Sequence, residues 1–192
     1  ADALGLVARM PSGPGPIPDG QIRAIAATVP PPIATFLLTC EVDPDAIVAH
    51  ARATGVGTVQ LVDDGVGTDA YRALRAELPA LKIVQVVHVR DGGSVELALS
   101  AAPHVDALLL DSGNPAAREL GGTGRVHDWS LSREIVRRSP VPVFLAGGLN
   151  ASNVARAVDE VSPFGIDLCS GVRTNGRLDP AKLAGLVAAL PR

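Results

Sequence analysis

Apolar runs of strand length alternate along this chain with longer stretches whose apolar residues recur at helical spacing. The runs predict strands at Ala3–Ala8, Ile33–Thr39, Thr58–Val62, Ile83–Val89, Val105–Leu110, Val141–Ala146 and Gly165–Cys169. The stretches between them predict helices at Asp19–Thr28, Pro44–Thr54, Asp69–Glu77, Ser94–Ala101, Ser130–Arg138, Ala151–Val161 and Pro180–Leu190. Four helices also have predicted N-caps, because a short side-chain oxygen can accept a free backbone N–H: Asp43, Ser130, Asn150 and Asp179.

The strand–helix unit repeats without a linker or a break in composition, so we predict one domain over residues 1–192. An uninterrupted series of this kind forms a doubly wound sheet or a closed barrel of parallel strands. A barrel needs eight units, whereas seven are visible in this sequence. The chain begins inside or just before a strand, and we therefore expect the missing unit to be the first. The prediction is an α/β fold, a (β/α)8 TIM barrel that lacks its first unit.

The composition supports parallel strands and excludes several kinds of partner. Apolar residues make up 47% of the chain but aromatic residues only 3%, and small branched side chains suit a sheet that is covered by helices on both faces. The net charge of −3 provides no basic surface for nucleic acid or for an anionic membrane. The two cysteines and four histidines do not have the spacing of a metal site. A cytoplasmic location is the expectation.

Three glycine-rich turns occur late in the chain, at 121–124, 146–149 and 169–172. The second and third directly follow predicted strands, on the side of a barrel where ligands bind. Glycine lets backbone N–H groups approach an anion closely, and hydroxyl side chains add donors. One such turn would indicate only a tight bend, but the set favours phosphate binding. The predicted phosphate-binding residues are Gly122, Thr123, Gly147, Gly148, Ser170 and Gly171.

Asp111 closes an apolar run and is therefore predicted to lie at the rim of the barrel. Partial desolvation there would raise its pKa and suit it to donate a proton as a general acid. A helix-capping or loop aspartate would show the same pattern.

The order and spacing of these motifs resemble the phosphoribosylanthranilate isomerase family. The resemblance is dense from Leu108–Ser112 through Gly121–Arg125, Asp128-Trp129 and Pro142–Val154 to Gly165–Val172, and it is thin before Leu108. It implies a barrel of the ribulose-phosphate-binding type that performs an Amadori rearrangement in tryptophan biosynthesis. It also implies a small phosphorylated sugar substrate, no metal or organic cofactor, and a monomer or homodimer. Asp111 would be the general acid, and the glycine turns would bind the substrate phosphate.

Several positions depart from the family pattern. The family's general base is a cysteine in a Lys-x-Cys-Gly motif, which is absent from this sequence. A substrate-binding arginine that the family has in a Ser-Pro-Arg motif is missing from Met10–Gly15. Val62 replaces a histidine, and Arg173 replaces the usual glutamate. Phosphate binding tolerates these changes better than anthranilate recognition does.

Two further residues are candidates to face the site. Cys40 ends a predicted strand, where a thiol of depressed pKa could act as a base, although a small buried residue is the more common interpretation. His88 lies near the end of the predicted strand Ile83–Val89. The alternative for this residue is again a structural role.

Three hypotheses follow from the sequence. The chain is a working isomerase whose first strand lies outside these residues, a divergent barrel for another phosphorylated sugar, or an inactive phosphosugar-binding protein. The retained Asp111 and phosphate-binding glycines favour the first hypothesis over the third.

Overall fold

A curled sheet of parallel strands dominates the computed structural model, which describes residues 1–11, 15–112 and 127–191. The strands are β1 (Ala3–Val7), β2 (Ala34–Thr39), β3 (Thr58–Leu61), β4 (Lys82–His88), β5 (Ala107–Asp111), β6 (Val143–Leu145) and β7 (Gly165–Ile166). All seven predicted strands are present, and each is within a few residues of its predicted position.

Helices follow the strands in the predicted alternation. They are α1 (Asp19–Ala26), α2 (Pro44–Thr54), α3 (Thr68–Glu77), α4 (Gly93–Ala101), α5 (Trp129–Arg138), α6 (Val154–Val161) and α7 (Pro180–Ala189). Within the described part of the chain, no helix has the length and apolar character needed to cross a membrane.

The strands pair in the order in which they occur along the chain, from β1 to β7, and every pairing is parallel. Parallel neighbours require a crossover, and the intervening helices supply it. In the described residues β1 and β7 are each paired on one side only, so the sheet is a curled, open half-barrel. The carboxyl ends of all seven strands lie on the same rim.

The strands bury both of their faces. On β4, Val84 and Val86 belong to an inner cluster that fills the concave side of the sheet, while Ile83 and Val87 pack against the helices. This alternation follows from the period of two in a strand. The chain can therefore use small apolar residues on both sides of each strand, as the composition indicated.

Aspartate caps fix the starts of α2, α5 and α7. Asp43 accepts a hydrogen bond from the Ala46 N–H at 2.9 Å, and Asp179 accepts from Ala181 and Lys182. The predicted cap at Ser130 is wrong, because its backbone N–H is the donor to the actual cap, Asp128, at 2.9 Å. An aspartate two residues upstream reaches the same free N–H group and also has the charge that the helix dipole favours.

A short hairpin that was not predicted follows the last strand of the sheet. It consists of β8 (Arg173–Thr174) and β9 (Arg177–Leu178), joined through Asn175 and Gly176. Both linking residues have positive φ, 50° and 76°, as a two-residue hairpin turn requires. The hairpin places Arg173 beside the rim of the sheet.

Candidate functional site

The ends of β5, β6 and β7 enclose a small cavity on the rim of the sheet. Its volume is about 40 Å³. Asp111 comes from the end of β5, the turn 146–149 follows β6, and the segment 167–170 follows β7. Three neighbouring strands thus bring together the predicted acid and two of the three predicted phosphate-binding turns.

Glycine lets the turn after β6 lie directly against the end of β5. Gly147 and Gly148 have φ values of 85° and 65°, a conformation that residues with a side chain rarely adopt. A Cβ atom on Gly147 would lie 2.8 Å from the Ser112 Oγ and 3.0 Å from the Ser112 backbone nitrogen. Any side chain at position 147 would therefore push the turn away from Asp111.

Two asparagine side chains hold the same turn from the other side. The Nδ2 groups of Asn150 and Asn153 donate to the Gly148 carbonyl oxygen at 3.1 and 3.0 Å. The Asn153 Oδ1 accepts from the Asn150 backbone N–H at 2.8 Å. These bonds fix the orientation of the Gly148 peptide before any ligand is bound.

The turn after β7 is locked to the turn after β6 at Gly171. A Cβ atom at this position would lie 1.9 Å from the Leu149 carbonyl oxygen. That distance is far inside van der Waals contact, so only glycine fits this position.

Backbone N–H groups of the two turns are available to a ligand. Over residues 1–11, 15–112 and 127–191, no hydrogen-bond acceptor is found for the N–H groups of Gly147, Gly148, Ser170 or Gly171. Unpaired backbone donors next to a cavity are costly unless water or a ligand satisfies them. A cluster of such donors is suited to bind the oxygens of an anion.

Asp111 occupies the position that was predicted for it, at the end of β5. Its side chain is half-buried, and one carboxylate oxygen accepts a hydrogen bond from the Ser112 N–H at 2.7 Å. This bond orients the carboxyl group at the cavity wall, within reach of a ligand that the glycine turns would hold.

A second carboxyl group, that of Asp167, lines the same cavity, and the sequence analysis did not single it out. Solvent reaches this side chain, but protein atoms crowd the carboxyl group. Desolvation, and secondarily the negative charge of Asp111, raise the pKa of Asp167 to about 6. The one available signal was its place directly after an apolar run, which it shares with Asp111.

Cys40 does not line this cavity. Its thiol donates to the Arg9 carbonyl oxygen at 3.3 Å and packs against the inner cluster. Burial, with the nearby Glu41 carboxylate, raises the pKa of the thiol. A base or nucleophile needs the opposite shift, so Cys40 fits a structural role.

His88 is paired in register with Asp111 but is not among the residues that line the cavity. The side chain is fully buried, and its Nε2 lies 2.9 Å from the Val62 carbonyl oxygen. By the alternation along β4 the ring lies on the same side of the sheet as Val84 and Val86, and a contact with a ligand stays a prediction.

The predicted phosphate-binding residues Gly122 and Thr123 lie outside the described residues. Among the residues that the structure describes, no group of three His, Cys, Asp or Glu side chains is placed to hold a metal ion. The arrangement that is described can bind an anion through backbone N–H groups and can exchange a proton through two adjacent carboxyl groups.

Comparison with known proteins gives one consistent result. A family model described as N-(5'-phosphoribosyl)anthranilate (PRA) isomerase matches residues 21–189. The chain is 38% identical over 192 residues to the N-(5'-phosphoribosyl)anthranilate isomerase of Halobacterium salinarum, covering 98% of this chain and 85% of that one.

Two solved structures have the same fold. One is of monomers generated from the dimeric phosphoribosylanthranilate isomerase of Thermotoga maritima, with a TM-score of 0.77, 25% identity, and coverage of 98% of this chain and 87% of that one. The other is a phosphoribosylanthranilate isomerase in complex with reduced 1-(o-carboxyphenylamino)-1-deoxyribulose 5-phosphate. Its TM-score is 0.76, with 26% identity and the same coverage of 98% and 87%.

Proposed function

The chain belongs to the N-(5'-phosphoribosyl)anthranilate isomerase family, and from that premise we propose that it catalyses the Amadori rearrangement of phosphoribosylanthranilate. The product would be 1-(2-carboxyphenylamino)-1-deoxyribulose 5-phosphate, an intermediate of tryptophan biosynthesis. The observation that carries the proposal is the convergence of two glycine turns on a cavity that also contains two carboxyl groups, with backbone N–H groups that have no acceptor among the described residues. We further propose a cytoplasmic enzyme that is a monomer or a homodimer.

The phosphate of the substrate would bind to the turns after β6 and β7. Four backbone N–H groups support this role, because they have no acceptor among the described residues and their turns have a fixed conformation before any ligand binds. They belong to Gly147, Gly148, Ser170 and Gly171. A site that is organised before binding loses little conformational freedom when its ligand arrives. Gly122 and Thr123 remain predicted contributors to the same interaction.

Asp111 would open the ribose ring. As a general acid it gives its proton to the ring oxygen, the bond from that oxygen to C1 breaks, and a Schiff base forms between C1 and the anthranilate nitrogen. Removal of the C2 proton then gives an enolamine, which relaxes to the ketone. The half-buried position of Asp111 beside a second carboxyl group supports this assignment.

Asp167 would accept the C2 proton in this chain. Cys40, the thiol that the sequence offers as a base, does not line the cavity. Asp167 lines the cavity with Asp111, and its pKa of about 6 suits a base that works near neutral pH. One carboxyl group would then donate a proton while its neighbour accepts one.

The proposed function is tested by following the loss of anthranilate fluorescence when the purified protein is mixed with phosphoribosylanthranilate. Turnover that ribulose 5-phosphate inhibits competitively is the expected result. Binding of ribulose 5-phosphate without turnover would contradict the proposal. It would indicate instead an inactive phosphosugar-binding protein, as the missing arginine and histidine of the sequence allow.

We predict that Asp167→Asn lowers kcat by about 100-fold or more, because proton transfer by a positioned side chain contributes about that much.

The same substitution should stabilise the fold at neutral pH. A carboxyl group whose pKa rises from 3.8 to about 6 on folding gives stability that is fully present below pH 3.8 and is lost as the pH rises through about 6. Asparagine does not ionise and removes that loss. Since solvent reaches the side chain, the gain above this range is only about 1 kcal/mol.

Urea unfolding of the parent and the variant, below and above this pH range, checks the stability part of the prediction. Asp159→Asn, on the exposed surface of α6, is the matched control and should alter neither kcat nor the pH dependence of unfolding. A variant that keeps full activity would refute the assignment of Asp167 as the base.

A further inference from the structure

Arg173 extends from the turn after β7 toward the loop after β1. Its two terminal guanidinium nitrogens lie 3.7 and 3.8 Å from the position that a Cβ atom on Gly15 would occupy. The side chain thus bridges the two edge strands of the sheet on the rim that carries the cavity. Cys169, which lines the cavity, is four residues before Arg173, and burial raises the pKa of its thiol while the positive charge of Arg173 acts, to a smaller extent, to lower it.

The charge of Arg173 is not neutralised. Nη1 donates to the Gly176 carbonyl oxygen at 2.8 Å, and no carboxylate lies within 4.0 Å of the guanidinium among the residues that the structure describes. By contrast, Arg90 on the same rim is paired with Asp64 at 2.8 Å. Arg173 is half-buried, so its charge is screened less than that of the exposed Arg9. A guanidinium has five N–H donors, and most of these remain for a ligand.

An anionic ligand in this site needs such a cation. The cavity contains two carboxyl groups, and each of them, when ionised, would repel a substrate that carries a phosphate and a carboxylate. The glycine turns provide neutral N–H donors that suit the phosphate, but they leave the carboxylate without a partner. The planar fork of an arginine matches a carboxylate with two parallel hydrogen bonds.

The sequence around the rim is consistent with this role. The loop Met10–Gly15 contains no cationic residue of its own, and the guanidinium of Arg173 lies against the end of that loop. The glutamate expected at position 173 from the resemblance would place a negative charge there instead. Arg173 thus places a positive charge on one side of the gap between the edge strands, and on the other side the loop after β1 has the exposed Arg9 as its cation.

We propose that Arg173 binds the carboxylate of the anthranilate moiety, an inference that rests on the proposed function. Arg173 is then a determinant of specificity, which separates substrates with an aryl carboxylate from other sugar phosphates. It takes no part in the proton transfers.

Isothermal titration calorimetry of the parent protein and its variants tests this inference with two probes. Reduced 1-(o-carboxyphenylamino)-1-deoxyribulose 5-phosphate carries the carboxylate, whereas ribulose 5-phosphate does not. Arg173→Ala should weaken binding of the first probe about 10-fold or more and leave binding of the second nearly unchanged. Arg173→Lys should restore part of the loss, and Arg173→Glu should increase it. Arg177→Ala, on the other strand of the same hairpin, is the matched control and should change neither affinity.

Three outcomes would overturn the inference. Equal weakening of both probes would mean that Arg173 supports the phosphate-binding turn, and no weakening of either would mean that it only braces the hairpin. Failure of the parent protein to bind the reduced product would refute this inference and the proposed function together. If the parent binds the reduced product but does not turn over phosphoribosylanthranilate, only the proposed function fails. Thermal unfolding of each variant shows whether the fold is kept.

Discussion

Asp111→Asn is expected to lower the turnover of phosphoribosylanthranilate by about 1000-fold while the affinity for ribulose 5-phosphate stays within about 2-fold of the parent value. The amide has nearly the same shape as the carboxyl group but has no acidic proton for the ring oxygen. The phosphate-binding turns follow β6 and β7 and do not depend on that proton. Steady-state kinetics and a separate binding measurement check the two parts of this expectation.

The control for this experiment is Asp63→Asn. Asp63 lies on the same rim after β3, accepts a hydrogen bond from the Gly65 N–H at 2.8 Å, and does not line the cavity. Its substitution should leave turnover nearly unchanged. If Asp111→Asn instead reduced turnover and ligand affinity by equal factors, the carboxyl group would be holding the site in shape, and the general acid would have to be sought elsewhere.

Gly171→Ala is expected to destabilise the protein by about 3 kcal/mol, the upper part of the range for overpacking, and to weaken binding of ribulose 5-phosphate about 10-fold or more. The added methyl group would lie 1.9 Å from the Leu149 carbonyl oxygen. The obstructing atom belongs to backbone, which cannot rotate aside as a flexible side chain would. The two turns must separate, and their N–H groups would then no longer converge on one phosphate. Urea unfolding and calorimetry measure the two effects.

Gly185→Ala is the matched control, because it makes the same chemical change in the interior of α7. A Cβ atom at that position would lie 4.0 Å from the Ala151 Cβ, an ordinary contact. Alanine is favoured over glycine inside a helix by about 0.5–1 kcal/mol, so this variant should be more stable than the parent. A harmless Gly171→Ala would show that the contact between the two turns can relax and is not needed for the site.

Local sequence signals predicted the framework because the structure uses them directly. The Asp43-Pro44 and Asp179-Pro180 pairs mark where α2 and α7 begin, and both aspartates do cap their helices. The last strand was predicted too long, since pairing stops at Ile166. Beyond that residue the chain turns toward the cavity with Asp167. The apolar pattern of the sequence cannot show where a strand stops pairing with its neighbour.

The sequence predicts the position of a candidate site residue only where its place in an element decides which rim it lies on. Asp111 is such a residue, because the end of a parallel strand is always on the rim. His88 satisfies the same rule and is paired in register with Asp111, but its ring is buried and bonded to the Val62 carbonyl oxygen, so its contact with a ligand stays a prediction. The raised pKa of Asp167 depends on burial by residues that are distant in sequence. The hydrophobic periodicity of the chain does not show such burial.

The hairpin that contains Arg173 had a usable signal in Asn175-Gly176, the dipeptide most typical of a two-residue turn. Its flanking residues are polar and alternate too briefly to indicate strands. The approach of Arg173 to Gly15 joins residues from opposite ends of the chain and could come only from the three-dimensional structure.

The strand order also determines how the molecule can come apart. Each strand bonds only to the strands before and after it in the chain, so loss of an end unit leaves the remaining pairings intact. Among the described residues β4 is the middle strand and would open last, whereas β7 is paired on one side only and is two residues long. The ligand-binding turns therefore sit on the least protected side of the sheet. A phosphate bound to the turns after β6 and β7 would connect the two strands and oppose their separation. Substrate binding would therefore stabilise this side of the sheet against unfolding.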